Sequence, residues 1–153
     1  ICVVPLSAQS RFPNRYVRYG PGPVINFMPD DPAIEVDGGC LTVLDTPEQP
    51  KLGLDSQEGW FAYLMPNDLM FIKQFPVFPD RVYGEMAGLT LSLWYFRDLV
   101  CELEPIGPEE VLEPGTSAFF TEMWWLAPYP FPEPRASIDS TDVATVAREG
   151  MGL

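Results

Sequence analysis

Two glutamates set two residues apart, Glu102 and Glu104, carry the most specific chemistry in this chain. They sit in Leu99-Val-Cys-Glu-Leu-Glu-Pro-Ile-Gly-Pro108, an acidic–apolar run that stops at prolines and a glycine. Successive side chains of a strand point to opposite faces, so both carboxylates share one face. Side by side they repel unless something basic, polar or wet faces them. Carboxylates presented on a sheet suit proton abstraction or hydrogen bonding to hydroxyl groups, the chemistry of many sugar-processing sandwiches. The sequence has no histidine, so no His-based triad, His metal site or His general acid lies within it. Three dispersed cysteines do not make a zinc site, and no glycine-rich phosphate loop occurs in a strand–loop–helix context. No cofactor and no metal are implied.

The remaining candidates each carry two readings. Trp60, Trp94, Trp124 and Trp125 offer stacking faces for sugar rings, or sandwich packing, the latter expected for at least three of them. Lys73, between aromatic and aliphatic neighbours, either points to solvent, donates to a sugar hydroxyl, or serves as counter-ion to Glu102 or Glu104. Asp55 is a turn former or a ligand contact. Arg11, Arg15 and Arg18 hold three of the nine basic residues within one polar loop, a solvated segment or a contact for an anion or sugar hydroxyl.

The elements that must position these groups are short strands. Eighteen prolines and twelve glycines in 153 residues preclude long helices, while 46% apolar content with 13% aromatics fills a packed core. Strands are predicted over 1–5, 24–28 and 40–44, the last after an Asp37-Gly38-Gly39 turn. Two hairpins are predicted, 60–64 with 69–75 across Pro66-Asn67-Asp68, and 90–96 with 99–104 across Arg97-Asp98. In the second, Leu89, Leu91, Leu93 and Tyr95 share one face, leaving Thr90, Ser92 and Trp94 on the other. A longer strand is predicted over 117–126, and Asp31 is expected to cap a single turn over 32–36. Turn signals every eight to twelve residues point to an all-β sandwich occupying residues 1–126. Residues 127–153 read as a proline-rich strap and a short helix over 140–149 capped by Ser140, a frayed tail without chemistry.

Charge limits the partners. A net charge of −13 opposes nucleic acid and anionic membranes and is compatible with a neutral carbohydrate. No run approaches the length of a membrane span. Cys2, Cys40 and Cys101 are expected as buried free thiols. The chain begins on an isoleucine inside a strand-like run, which suggests missing upstream sequence and a partial domain. Exposed strand edges then predict a homo-oligomer or aggregation.

Four segments in order, Gly59-Trp-Phe-Ala-Tyr-Leu64, Leu69-Met-Phe-Ile-Lys-Gln-Phe-Pro76, Leu99 to Pro108, and Leu112-Glu-Pro-Gly-Thr-Ser-Ala-Phe-Phe-Thr-Glu-Met-Trp-Trp-Leu126, resemble the C-terminal half of DUF4380-type proteins. That bacterial group is related to galactose mutarotase (aldose 1-epimerase). The resemblance covers roughly residues 1–126 and implies a galactose-mutarotase-like supersandwich. In mutarotases a glutamate on a late strand takes the proton of the anomeric hydroxyl. Leu103-Glu104-Pro105 matches its context, so the resemblance implies Glu104 as base, with Glu102 as substitute. Thr90-Leu91-Ser92 stands where relatives tend to carry Asn-x-Glu, and the mutarotase histidines have no counterpart here. Three classes are consistent with this reading: an aldose 1-epimerase-type enzyme with Glu104 facing a concave groove and a polar partner nearby, a sugar-binding module with a groove, an exposed tryptophan and no acid–base pair, and a structural or interaction domain whose acidic residues are a solvated face. Exposure of Glu104 together with Trp94 separates the first two from the third.

Overall fold

The computed structural model describes residues 1–20, 25–49, 51–86, 88–97 and 99–153. Among them, eleven strands form two antiparallel sheets, followed by one α-helix. Sheet A contains β1 (Cys2–Pro5), β4 (Ile34–Asp37), β5 (Cys40–Val43), β7 (Trp60–Met65), β8 (Leu69–Gln74) and β11 (Met123–Pro128), in the order β11-β8-β7-β1-β5-β4. Sheet B contains β2 (Val17–Tyr19), β3 (Ile25–Asn26), β6 (Lys51–Leu54), β9 (Leu91–Phe96) and β10 (Val100–Pro105), in the order β10-β9-β6-β2-β3. The fold is an all-β sandwich.

Alternation decides which side chains enter the core between the sheets. Val4, Leu41, Val43 and Phe61 from sheet A meet Leu52, Leu54, Leu91 and Leu93 from sheet B. Sheet A is also buried on its outer face, where Val3, Trp60, Ala62, Met70 and Ile72 lie beneath helix α1 (Ser140–Met151). Double burial explains why β1 reads as a continuous apolar run and why every residue of β5, Thr42 included, is buried. The helix presents Val143, Ala144 and Ala147 on one side, as the 3.6-residue period requires. Its N-cap is Asp139, whose carboxylate accepts the Thr141 and Asp142 amides, and Gly152 closes it at φ 76°. Residues 127–153 are thus packed structure, not a frayed tail, because the outer face of sheet A needs a cover. The expected boundary at 126 falls inside β11. The strap behind it is tied down at Asp68, whose backbone carbonyl accepts the Tyr129 amide at 3.0 Å and whose carboxylate accepts the Phe131 amide at 2.9 Å.

Several strands differ from the sequence expectation. Both hairpins form, with Asp98 outside the described residues. The strand predicted over 117–126 begins only at Met123, since among the described residues no strand pairs with 117–122. Asp31 does bond the Ala33 amide, at 3.0 Å, but the chain then leaves as β4 instead of a helical turn. The strand predicted over 24–28 is the two-residue β3, with Val24 outside the described residues. Inside the supposed polar loop, β2 is fully buried. Leu89 precedes β9 and lies on the outer side of sheet B with Phe12, Val17 and Tyr19, so it does not share the face of Leu91, Leu93 and Tyr95.

Candidate functional site

The outer face of sheet B is where the predicted acidic residues meet an aromatic ring. Pairing registers place Glu102 opposite Trp94 and Trp94 opposite Lys51, a row across β10, β9 and β6. Two residues along, Glu104 stands opposite Ser92 and Ser92 opposite Gly53. Directly opposed side chains in such rows have Cβ atoms roughly 5 Å apart, close enough to act on one small ligand. Glu102 and Glu104 are exposed and Trp94 is half-buried. Trp94 is held by stacking on Phe96, with ring centroids 5.8 Å apart and planes at 26°.

The floor beside this row is polar and fixed. Tyr19 leans across Gly53, where any Cβ would collide with Leu89 and the Tyr19 ring. Its hydroxyl lies 3.0 Å from Ser92 Oγ and 3.1 Å from Glu85 Oε1. Having one proton, it donates to the Glu85 carboxylate and accepts from Ser92. Burial pushes the Tyr19 hydroxyl up to about 12; the Ser92 bond opposes this, and the charges of Glu85 and Glu104 add to it. Tyr19 therefore remains a proton-bearing hydroxyl at neutral pH. Lys51 Nζ sits 5.0 Å from the centroid of the Tyr19 ring and 4.0 Å from Glu85 Oε1. Such an arrangement supplies acceptors at Glu102 and Glu104, a donor at Lys51 and an apolar face at Trp94.

The other sequence candidates lie elsewhere. Lys73 is buried on the inward side of β8, so it neither points to solvent nor neutralises Glu102 or Glu104. It donates to the Leu103 carbonyl at 3.1 Å and pairs with Glu122 at 3.1 Å, between the Phe61 and Trp124 rings. In that position it holds β10 from behind, at the residue between the two glutamates. Trp60 is 1% exposed under α1, with the Arg148 guanidinium over its ring, and is core. Asp55 is buried and clamps the loop, one oxygen accepting from Ser10 Oγ at 2.6 Å and the other from the Arg11 amide at 2.7 Å. The three arginines form no common patch, because Arg18 is buried in an ion pair with Asp31 at 2.6 Å.

Glu104 lines neither of two clefts, so the groove expected beside it under both the enzyme and the sugar-binding readings is not found there. One, of about 180 Å³, lies among Tyr63, Tyr95, Arg97 and Arg135. The other, of about 750 Å³, lies among Arg11, Asp55, Arg81 and Tyr83. Glu104 looks instead onto an open sheet face, because β10 is an edge strand with no neighbour beyond it, among the described residues, to curve around a ligand. Among the described residues no three His, Cys, Asp or Glu side chains converge to hold a metal, and no helix is long and apolar enough to cross a membrane. Cys2 and Cys40 are buried free thiols, and Cys101 is a half-buried one. Tyr19, Lys51 and Glu85 carry no local signal in the sequence, and only the isolated glycine in an apolar run signals a close approach at Gly53.

Comparison with known proteins places no relative beside this chain: no family model, no curated protein and no solved structure matches it.

Proposed function

We infer that this protein is a carbohydrate-binding β-sandwich whose ligand rests on the outer face of sheet B. The row Glu102–Trp94–Lys51 carries the reading. A pyranose has an apolar C–H face and a rim of hydroxyls. Trp94 meets the first, while Glu102 and Glu104 accept from the rim and Lys51 donates to it. A neutral sugar fits a chain of net charge −13 better than an anionic one. The likeness of four ordered segments to galactose-mutarotase-related DUF4380-type proteins supports the same ligand class. Saturation-transfer NMR with D-galactose and D-glucose tests it. Transfer to the sugar ring protons is expected with the wild type and is expected to vanish in Trp94→Ala. Transfer that survives Trp94→Ala unchanged, or no transfer at all, removes the reading.

A second reading is catalytic: Glu104 is exposed next to this row, opposite Ser92 and within electrostatic reach of the Tyr19 hydroxyl, on an open face and not in the groove expected of an aldose 1-epimerase-type site. Mutarotation needs a base at the anomeric hydroxyl and an acid at the ring oxygen. Glu104 would supply the base and, with no histidine in the sequence, the Lys51 ammonium on the same sheet face would be the proton donor to the ring oxygen. NMR exchange spectroscopy of α and β anomers decides between the readings: faster exchange with the wild type than with Glu104→Gln makes the protein an aldose 1-epimerase-type isomerase. Equal rates leave a binding module.

A further inference from the structure

Among the described residues four strand edges are open. β10 carries Glu102 and Glu104, β4 carries Glu35 and Asp37, and β3 is two residues long. Short edges and charged side chains are the means by which sheets avoid pairing with other chains. β11, Met-Trp-Trp-Leu-Ala-Pro, has no charge. Its hydrogen bonds show which backbone groups stay free, because bonded and non-bonded pairs alternate along an antiparallel ladder. The Tyr129 amide bonds the Asp68 carbonyl, so Ala127, Trp125 and Met123 are the residues of β11 that bond β8. The Phe75 amide bonds the Gly59 carbonyl, so Lys73 and Phe71, the partners of Trp124 and Leu126, turn their backbone groups toward β7. Both observations agree: Trp124 and Leu126 aim amide and carbonyl past the edge, where among the described residues no strand receives them.

The two faces beside this edge differ in chemistry. Away from α1, Trp124 and Leu126 are 65% and 64% exposed, and the Phe71 ring lies edge-on to Trp124 at 5.6 Å. Glu122, next in sequence, is neutralised by Lys73 at 3.1 Å. On the α1 side Tyr129, directly after β11, donates to Asp142 at 2.8 Å. Burial, that bond and the charges of Asp142 and Asp139 push the Tyr129 hydroxyl up, which places both carboxylates at the end of the strand. Between Arg97 and Arg135 the sequence has eight acidic residues and no lysine or arginine. We propose that β11 receives an extended, basic segment of another protein as an added strand of sheet A. Its apolar side chains lie toward Trp124 and Leu126, and its lysines or arginines toward Asp139 and Asp142. Strand addition takes affinity from main-chain hydrogen bonds and specificity from alternate side chains. Charge selects the occupant: a chain of net charge −13 attracts a basic segment and repels a second copy of itself. Pro128 has no amide to offer, so the receptive stretch is short and centres on Trp124 and Leu126.

Fluorescence anisotropy with the whole chain tests the proposal, the probe being a labelled peptide of about eight residues that alternates lysine and valine. Residues directly opposite Trp124 and Leu126 share their face and exchange both backbone bonds with them. N-methylation of the valines therefore removes pairing without altering charge, and is expected to weaken binding at least roughly tenfold. A peptide with glutamate in place of lysine is expected to bind at least roughly tenfold more weakly as well. Leu126→Pro removes an outward amide and leaves the bonds to β8 in place, as proline does on edge strands. It is expected to weaken binding of the lysine peptide by a similar factor, with circular dichroism and thermal melting checking its fold. The N-methyl comparison uses the wild type and does not depend on how that variant folds. No binding of the lysine peptide overturns the proposal, as does equal binding of the N-methylated or the glutamate peptide. A folded Leu126→Pro variant that binds as well as the wild type also overturns it. So does sedimentation of the wild type alone as a dimer that Leu126→Pro abolishes, which would give the edge to a second copy.

Discussion

The outer faces of the two sheets receive opposite treatment. Sheet A buries its outer face under α1, so Trp60 is sealed against Val143, Ala144 and Ala147. Sheet B leaves much of its outer face open, so Trp94 is half-buried between Glu102 and Lys51. Both tryptophans sit in six-residue strands of antiparallel hairpins, and local sequence does not separate them. The difference comes from the chain beyond β11: twelve helical residues cover one face, and among the described residues no comparable element covers the other. A covered face contributes stability; an open face with fixed polar groups is available for a ligand.

The contrast is broken most severely by Trp60→Ala, which is expected to cost about 3–5 kcal/mol through lost burial and a cavity that the helix cannot fill. Urea denaturation measures it, and sugar binding corrected for the folded fraction is expected to be unchanged. Next is the response to alkali. Tyr19 holds its proton to about 12 in the folded state against 10.0 ordinarily. Its contribution is therefore complete below pH 10 and is lost as pH rises from 10 toward 12, because only the unfolded chain releases the proton there. Burial raises the Tyr95 hydroxyl and the Cys2 thiol in the same direction. Tyr19→Phe is expected to flatten the fall of melting temperature across that window; an unaltered slope would show that Tyr19 is not the group titrating. Asp139→Ala removes the cap of α1 and is expected to cost about 1 kcal/mol, read as a lower urea midpoint at constant m. Trp94→Ala sharpens the comparison from the other side. Its cost in stability is expected to be the smallest, about 0.5 kcal/mol, while sugar binding is lost.

The helix at the end of the chain illustrates how far the sequence could be read. Val143 and Ala147 fall on one side by spacing alone, but the spacing is weak, and only the apolar underside of sheet A gives the helix a reason to persist. The glutamates show a similar division. Their alternation put Glu102 and Glu104 on one face, and the Ser92 and Trp94 face was equally legible. That these two faces coincide is a consequence of the hairpin, whose short turn fixes the register. Lys51, Gly53 and Tyr19 were illegible as partners because β2 and β6 are only three and four residues long. These strands join the sheet by pairing with each other and with β9, across long separations in sequence that local patterning does not register.

What the amino-acid order determined alone is the class of structure: proline and glycine frequency forbids long helices, and period-two alternation builds hairpins whose facing residues are set by local geometry. Which tryptophan is core and which is open, whether Lys73 meets solvent or a carbonyl of the opposite sheet, and which edge is left without charge were decided by tertiary structure. The physical reason is that burial belongs to pairs of surfaces: a side chain's face is fixed by its own strand, but the cover over that face comes from residues far along the chain.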